Sequence, residues 1–502
     1  MNNFKKVCLA SSLSYIAIIL NSLSVLIIAP YIMNSIGPEQ YGVFKLVTSV
    51  TTSLTVLDFG IGNTVTRFIA RYDAEKEFNK KNVVYTFSLK LTICINILVF
   101  IIGILIYNPF ISLYQKSLTL SEIHLAKVLY SIALFEIVII ITESVFGGFL
   151  AGSNLYIYLN SFKIISILVR SLCSYFGLLW NNSAIVLICV ELITAFIRFL
   201  LCVLTVKSCT SLKWVKKCQD NEIEHALLHY SKYMFLDTII GLVINNSDNV
   251  IIGAINGASF VTIYSFGLQI YSMFSSISTS ISNVMLPVIT KLVVENNPSS
   301  IIEDYIIRAG KIQYILIGGV ECAFILFGKD FITLWLGIGY SDVWIITVVL
   351  MVSATIPFVE NVTVSVLKAK NMMKFYIYAW SFQSLLNILL TIYFVNIYGY
   401  VAAAYTTGFV SLLISGLVIN VYYYIKLELN VFRVLKDIFS KITLALIASF
   451  LISYFITRKI GTSWLLFVFK ILIFVLCYLF NLLLYGLSKN DKKYYISKIM
   501  NK

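Results

Sequence analysis

The sequence contains few charged residues and few prolines. Of its 502 residues 12% are charged and 59% are hydrophobic, and only six are prolines. A soluble globular chain is usually about 25% charged and about 45–50% apolar. The low charge therefore excludes an ordinary soluble domain, and the low proline content argues against a loop-rich fold. Both features predict an all-α integral membrane protein with long helices.

Residues that build catalytic and metal sites are also scarce. The three histidines, His124, His225 and His229, lie in loops between hydrophobic segments, whereas many membrane acyltransferases need a histidine at membrane depth as a general base. The nine cysteines include no CxxC pair, so their spacing predicts neither a metal site nor a disulfide. No P-loop or nucleophile elbow is present. We expect no catalytic residue, no cofactor and no metal, with a polytopic membrane enzyme as an open alternative.

Hydropathy predicts about 14 membrane spans. Each is roughly 17–30 residues long, enough to cross about 30 Å of hydrocarbon at a helical rise of 1.5 Å per residue. The predicted spans are 7–33, 42–71, 83–107, 125–151, 163–180, 184–206, 233–255, 261–291, 312–336, 344–367, 375–396, 401–425, 442–457 and 464–487.

Lysine and arginine are distributed unevenly between the predicted loops. With the N-terminus inside, the outer loops hold Lys116, Lys127, Arg458 and Lys459, while most other basic residues fall in the inner segments. This bias predicts that both termini are cytoplasmic. The net charge of +14 is then mainly a topology signal and requires no nucleic-acid partner.

A weak internal repeat predicts two lobes. TESVFGGFLAGSN (142–154) resembles VENVTVSVLKAKN (359–371) at an offset of 217, and GPEQYGVFKL (37–46) aligns with GASFVTIYSF (257–266) at 220. The offset corresponds to six spans, so both copies have the same orientation. We predict an N-terminal six-helix lobe at 1–206, a cytoplasmic linker at 207–232, a second six-helix lobe at 233–425, two additional helices at 426–487 and a basic cytoplasmic tail at 488–502.

Two stretches near the N-terminus resemble a known family. YIMNSIGPEQYGVFKLVTSV (31–50) and LDFGIGNTVTRFIAR (57–71) resemble the N-terminal signature of the bacterial polysaccharide flippases, the Wzx-like transporters of O-antigen and capsule repeat units. That family belongs to the multidrug/oligosaccharidyl-lipid/polysaccharide exporter superfamily. The remaining chain is similar in length, span count and repeat.

The resemblance implies a multi-pass protein of the bacterial cytoplasmic (inner) membrane that works by alternating access. It implies that the substrate is an undecaprenyl-pyrophosphate-linked oligosaccharide, flipped to the outer leaflet for O-antigen (lipopolysaccharide) or capsule biosynthesis. The expected partners are membrane lipids, a coupling proton or sodium ion, a polysaccharide polymerase and a chain-length regulator. Two alternatives stay open: a cation-coupled multidrug exporter of the same superfamily, and a polytopic membrane enzyme of polysaccharide assembly.

Charged residues inside the predicted spans are the candidate substrate-binding residues. A charge at the bilayer centre costs about 2.5–3.5 kcal/mol on insertion scales, so it should face protein or water. Arginine suits phosphate because its planar guanidinium binds two oxygens at once. The candidates for pyrophosphate or an anionic sugar are Arg170, Arg198, Arg67, Lys45 and Lys90. In the alternative interpretation they form structural ion pairs, such as Arg170 with Glu143, or extend to the membrane interface.

The segment LDFGIGNTVTR (57–67) places Asp58, Gly60 and Gly62 in an apolar stretch. Glycines allow a bend or a close helix approach. The segment is therefore either a hinge that lines a cavity or a packing notch in which Asp58 bonds a neighbouring helix. Glu143 and Glu191 are further candidates for the polar interior.

Two acids in the second half are candidates for ion coupling. Asp248 lies in the polar run NNSDN (245–249), and Glu360 follows Pro357 by three residues. Because proline interrupts helical hydrogen bonding, we expect Pro357 to loosen the tenth span beside Glu360.

Overall fold

The computed structural model describes residues 3–215, 221–295, 297–370 and 372–486, and within these ranges the chain is helical with no β-strand. The α-helices are α1 (Asn3–Leu54), α2 (Ile61–Ala74), α3 (Phe78–Tyr114), α4 (Leu120–Gly152), α5 (Tyr156–Trp180), α6 (Ala184–Cys209), α7 (Asn221–Asn256), α8 (Ala258–Val294), α9 (Ser299–Leu336), α10 (Asp342–Val359), α11 (Asn361–Ala369), α12 (Met373–Tyr398), α13 (Ala402–Ser411), α14 (Ile419–Leu427), α15 (Val431–Thr457) and α16 (Trp464–Asn481). Short 3₁₀ turns occupy Thr55–Asp58 and Ile338–Tyr340, and π-turns occupy Leu412–Val418 and Leu482–Gly486.

The predicted all-α membrane fold is confirmed. Among the residues that the structure describes, ten helical stretches are long and apolar enough to cross a membrane. One of them, Ser12–Ala74, covers most of the first predicted span and all of the second. The seventh, eighth and ninth predicted spans lie in α7, α8 and α9. The predicted tail, 488–502, lies outside the described residues, as does the 216–220 part of the predicted linker.

Helix boundaries differ from the prediction at several spans. The second predicted span, 42–71, is divided between α1 and α2 by the 3₁₀ turn at Thr55–Asp58. The expected loop between residues 33 and 42 is a kink in the 52-residue α1, where Gly37 adopts φ 75° and ψ 170°. A helix of that length spans about 78 Å, so a single non-helical glycine is enough to separate two crossings. The tenth predicted span, 344–367, is divided between α10 and α11 at Glu360. Pro357 lies three residues before this break. It lacks the N–H that would bond the carbonyl of Ser353, so the helix is weakened on the approach to the break.

The chain forms two compact units, of which the first ends at Thr262 and the second begins at Ile263. In the first unit α4 packs on α1, α2, α3 and α6, and its Leu129, Tyr130 and Phe149 are fully buried. Helix α7 packs on α1, α2 and α3. Because α7 packs on these three helices, it belongs to the first compact unit. The predicted lobe boundaries stay a prediction.

In the second unit α9 packs on α10, α15 and α16, and α13 packs on α10 and α12. An ion pair joins α16 to α9: Lys470 Nζ lies 2.6 Å from Asp330 Oδ2, and the lysine side chain is only 6% exposed. A charge pair at this depth stabilises the contact because either partner left alone in hydrocarbon would be costly.

Glycines bring α2 and α4 into close contact. A Cβ atom on Gly148 would lie 2.5 Å from the carbonyl oxygen of Gly62, and one on Gly62 would lie 2.8 Å from the carbonyl oxygen of Ser144. A Cβ on Gly152 would lie 2.7 Å from Ile69 Cβ. These separations exclude any side chain at the crossing, as in other membrane helix pairs that meet through small residues.

We expect Gly148→Ala to lower stability by about 1–3 kcal/mol, because the added methyl group overpacks the α2–α4 contact. The matched control is Gly147→Ala, whose Cβ would meet only Leu159, at 3.7 Å. Thermal unfolding in detergent checks both variants. Equal melting temperatures for the two would show that the close approach does not limit packing.

Candidate functional site: a charged cluster in the first compact unit

Three acids and three cations from four helices form a connected charged cluster inside the first unit. Arg198 and Glu143 form an ion pair, and Glu136 interacts electrostatically with Arg198 and Glu191. Glu191 interacts in turn with Lys45 and Arg170. The charged cluster therefore comprises Lys45 on α1, Glu136 and Glu143 on α4, Arg170 on α5, and Glu191 and Arg198 on α6. All six residues are half-buried.

The one close ion pair of this cluster lies where α4 packs on α6. Arg198 Nη2 lies 2.8 Å from Glu143 Oε2, and the two side chains are 29% and 16% exposed. The structure thus pairs Glu143 with Arg198 and not with Arg170, which was the pair considered from the sequence. The Nε atom of Arg198 is buried without a hydrogen-bond partner among the described residues. This guanidinium therefore has donor capacity left for an anion.

Arg170 is held by a neutral partner. Its Nη2 donates a hydrogen bond of 2.8 Å to Asn21 Oδ1 on α1. Beside it, the hydroxyls of Ser24 and Ser171 are hydrogen-bonded across the same α1–α5 contact. Within the described ranges no acid lies within ion-pair distance of Arg170. A guanidinium oriented by an amide keeps its full positive charge and most of its five donors for another acceptor.

Lys45 lies between aromatic rings. Its Nζ is 5.3 Å from the ring centre of Tyr41 and 5.5 Å from that of Phe44. These cation–π contacts hold the ammonium without neutralising it. Glu191 is the acid that interacts with it, although no ion pair closer than 4 Å joins the two in the described structure.

Arg67 and Lys90 are exposed, on α2 and α3 respectively. The ammonium of Lys90 lies 6.0 Å from the ring centre of Trp214 in the segment after α6. Exposure of both side chains favours the interface interpretation of these two candidates. Their predicted role in substrate binding stays a prediction.

The segment at 57–67 contains both features that its glycines predict. Phe59 and Gly60 adopt left-handed backbone conformations, with φ of 54° and 62°, and they separate the 3₁₀ turn from α2. Gly62 then meets Ser144 at the α2–α4 contact. A left-handed phenylalanine is strained by about 1–3 kcal/mol, and its ring stacks on Phe235 of α7 at 4.5 Å.

Asp58 ends the 3₁₀ turn and lies beside α4. Ser144 Oγ donates to Asp58 Oδ2 over 3.4 Å. The backbone N–H of Ile61, at the start of α2, also interacts with this carboxylate. Asp58 therefore contacts both α4 and the first turn of α2, beside the helix break.

The two ion-coupling candidates lie in different compact units. Asp248 is 2% exposed on α7, next to Asn249, whose Nδ2 donates to Ser49 Oγ over 3.1 Å. Glu360 is 5% exposed at the α10–α11 break, where Asn420 Nδ2 donates to its Oε2 over 2.7 Å. Each acid therefore has its own polar neighbours, and no single compact unit contains both.

Sequence reasoning missed Asn21 and Asn420 as site residues. Asn21 is a polar residue in an otherwise apolar predicted span, which is a signal that could have identified it. Asn420 follows the π-turn at Leu412–Val418, and its Oδ1 is buried without a partner in the described structure. No sequence pattern marks it, since hydropathy does not reveal a π-turn.

Comparison with known proteins identifies related sequences and structures. The model of the polysaccharide biosynthesis protein family matches residues 9–293, more than half of the chain. No curated protein matches the sequence.

Solved structures share the fold across most of the chain. The lipid II flippase MurJ in an inward closed conformation is 17% identical, with a TM-score of 0.75 over 94% of this chain and 98% of its own. An inward-facing multidrug resistance MATE family transporter of the MOP superfamily is 16% identical, with a TM-score of 0.62 over 81% and 92%. A MOP superfamily transporter from Pyrococcus furiosus, described as having a binding pocket of reverse polarity, is 16% identical, with a TM-score of 0.58 over 82% and 93%. At these identities the likeness establishes the fold alone.

We expect Arg198→Leu to destabilise the first unit by about 1–3 kcal/mol, because it leaves Glu143 half-buried and unpaired. The double variant Glu143→Leu/Arg198→Leu should recover most of that loss, since it removes both charges. Arg170→Leu serves as the comparison and should cost about 1 kcal/mol, because only a hydrogen bond to a neutral amide is lost.

Thermal unfolding in nanodiscs measures all three variants. A double variant that is no more stable than Arg198→Leu would show that the ion pair is not the interaction that matters at this contact.

Proposed function

Because the chain belongs to the polysaccharide biosynthesis protein family and is a multi-pass membrane protein, we propose that it is a flippase for lipid-linked oligosaccharides. Its substrate would be an undecaprenyl-pyrophosphate-linked repeat unit, moved from the inner to the outer leaflet of the bacterial cytoplasmic membrane. The product would be used for a surface polysaccharide such as O-antigen or capsule. Both termini would be cytoplasmic.

The main support for this proposal is that two of the three cations in the charged cluster have no acid close enough to neutralise them. Arg170 is held by an amide and Lys45 by aromatic rings, so neither is neutralised by a close acid in the described structure. Arg198 is paired with Glu143 but retains a buried donor without a partner. A pyrophosphate could replace or supplement these contacts with charge-assisted hydrogen bonds.

The three acids of the charged cluster suit a carrier that must also release its substrate. In the described structure Glu143 is paired with Arg198, which limits the cost of holding that charge in the membrane. When the anion leaves, Glu143 can restore this pair. A site made only of cations would bind the phosphate more tightly but would release it slowly, because affinity differences are mostly differences in dissociation rate.

Breaks in the helices offer positions at which the conformation could change. The left-handed pair Phe59–Gly60 and the α10–α11 break at Glu360 interrupt two of the predicted spans, and the kink at Gly37 separates the first two spans. Hinges of this kind absorb large backbone changes at a few residues. We assign them to the alternating-access movement of the predicted lobes.

A proton or sodium gradient would drive transport, with Asp248 and Glu360 as the coupling acids. Glu360 has the stronger support, since its one recorded hydrogen-bond donor among the described residues is the amide of Asn420. The expected protein partners remain a polysaccharide polymerase and a chain-length regulator, which would act on the flipped product.

A multidrug exporter of the same superfamily is the second candidate function. It is favoured by the structural likeness to MATE transporters and by the acids in the charged cluster. A flippase fits better because the family match is to polysaccharide biosynthesis proteins and because the cluster holds cations that are free of close acids. A polytopic membrane enzyme is the third candidate. We propose instead that the protein transports its substrate without chemically changing it.

Deletion of the gene tests the function directly. We expect loss of the surface polysaccharide and accumulation of lipid-linked repeat units inside the cell. Unchanged polysaccharide together with altered sensitivity to cationic drugs would identify the exporter instead. Accumulation of a flipped but unmodified precursor in the outer leaflet would identify an enzyme.

We expect Arg170→Ala to abolish or strongly reduce surface polysaccharide, because it removes a cation that meets the phosphate. The matched control is Arg458→Ala, which removes an exposed arginine just after α15 and should leave polysaccharide near the wild-type level. Complementation of the deletion strain, with membrane levels of each variant compared by immunoblot, checks both. Normal polysaccharide in Arg170→Ala would remove this residue from the site.

We expect Glu360→Gln to uncouple transport from the ion gradient, because the neutral side chain keeps the shape but loses the exchangeable charge. The control is Glu428→Gln, which neutralises an exposed acid in the same unit. Flipping by purified protein in proteoliposomes, with and without an imposed proton or sodium gradient, provides the measurement. If Glu360→Gln responds to the gradient as the wild type does, Glu360 is not the coupling acid.

A further inference from the structure

A partly open cavity lies between three helices of the second compact unit, and none of the residues of the charged cluster lines it. Its volume is about 340 Å³. Residues from α9, α10 and α15 line it, and the α9 contributors, Tyr314, Gly318, Glu321, Cys322 and Ile325, recur at the spacing of one helix face.

Contacts at the wall between α9 and α15 hold this cavity open. The hydroxyl groups of Tyr314 and Thr443 are hydrogen-bonded at 2.9 Å, and the Tyr314 ring lies 4.3 Å from that of Phe439. A Cβ on Gly318 would lie 2.9 Å from Leu446 Cδ1, so the two helices are already in close contact beside the cavity. The site is therefore preformed, as most small-molecule sites are.

Glu321 is the one acidic residue among the residues that line this cavity. Thr355 Oγ1, on the facing helix α10, donates to Glu321 Oε2 over 2.6 Å. No other hydrogen bond to this carboxylate, and no cation within ion-pair distance, is recorded in the part of the chain that the structure describes. The other ionisable groups of the lining are the phenol of Tyr314 and the thiol of Cys322.

The cations on neighbouring segments are engaged elsewhere. Lys470 is paired with Asp330, and the ammonium of Lys329 lies 4.4 Å from the ring centre of Trp344. Helix α9 therefore carries an acid at the depth of an apolar cavity without a protein counter-charge among the described residues. An acid in such surroundings is costly unless a proton or a cation neutralises it.

We propose that this cavity binds a lipophilic ammonium ion, with its positive charge at Glu321 and its hydrocarbon part against the apolar wall. The carboxylate supplies the counter-charge, and the rings of Tyr314 and Phe450 can add cation–π attraction. The apolar lining from α15, Leu446, Ile447, Phe450 and Leu451, accommodates the hydrocarbon part. A cavity of this volume falls in the range of small-ligand sites.

This ligand differs in charge from the anionic substrate proposed above, so the cavity would be a second site on the protein. An anion is excluded because it would meet an unpaired carboxylate. A neutral hydrocarbon would fill the volume but would leave the carboxylate without a counter-charge. The charge at Glu321 thus selects a cation over both.

The experiment uses the full-length protein in nanodiscs and a photoreactive alkyltrimethylammonium probe. Labelled peptides are mapped by mass spectrometry, with octyltrimethylammonium as the cationic competitor and 2,2-dimethyldecane as its uncharged isostere. We expect labels on α9, α10 and α15, and competition by the cation but not by the isostere. Equal competition by both would overturn the proposal and leave only a hydrophobic crevice.

Variants of the cavity residues test the contributions of charge and of shape to probe binding separately. Glu321→Gln should weaken labelling by about tenfold or more, because one partner of a charge pair in a low-dielectric site is lost. Ile447→Trp should block the cavity. Ile452→Trp, on the same helix and also exposed, is not among the lining residues and should leave labelling unchanged.

Each outcome decides the proposal independently of the flippase assays. Unchanged labelling in Glu321→Gln would overturn it. If that variant does not fold, as judged by size-exclusion chromatography, the two tryptophan variants decide: equal labelling of Ile447→Trp and Ile452→Trp would overturn it as well. Because Arg170 and Glu360 lie outside this cavity, their variants should keep the wild-type labelling pattern.

Discussion

A hydrocarbon environment offers no hydrogen bond to a buried polar group, and this constraint explains most polar contacts in the protein. Hydroxyl side chains donate to the carbonyl four residues earlier in their own helix, as Thr51, Ser88 and Thr92 do. Charged side chains find partners on other helices, as Lys470 does with Asp330. Because each unit must satisfy these groups internally, polar residues determine which helices meet and where the structure can open.

The charged cluster meets the same constraint in a different way. Among its cations only Arg198 has a close acidic partner among the described residues. Arg170 and Lys45 are stabilised by an amide and by aromatic rings, which orient a charge without cancelling it. Groups held in this manner are prepared to meet a negative ligand. This arrangement and the family match are the grounds on which we propose an anionic, lipid-linked substrate, whereas the ligand that we propose for the cavity at Glu321 has the opposite charge.

The departures from regular helix coincide with polar or acidic residues. Asp58 precedes the left-handed pair Phe59–Gly60, and Glu360 occupies the break between α10 and α11. Asn420 follows the π-turn and bonds to Glu360. A helix break exposes backbone groups that must be satisfied, so a nearby side chain that can change its charge is suited to couple ion binding to backbone movement.

Hydropathy and the low proline content were sufficient to predict the all-α membrane class, because both can be read from each segment taken alone. The position of Pro357 predicted a loosened tenth span, and the structure divides that span at Glu360. The two glycines in the 57–67 segment also predicted a bend or a close approach of two helices, and the structure contains both. Which charges meet was decided only by the tertiary structure. Glu143 pairs with Arg198, not Arg170, because the close packing of α4 on α6 sets which side chains face each other. The acid at Glu321 acquires its cavity only where α9, α10 and α15 meet, since the rotation and separation of distant helices are not encoded in the periodicity of any one of them.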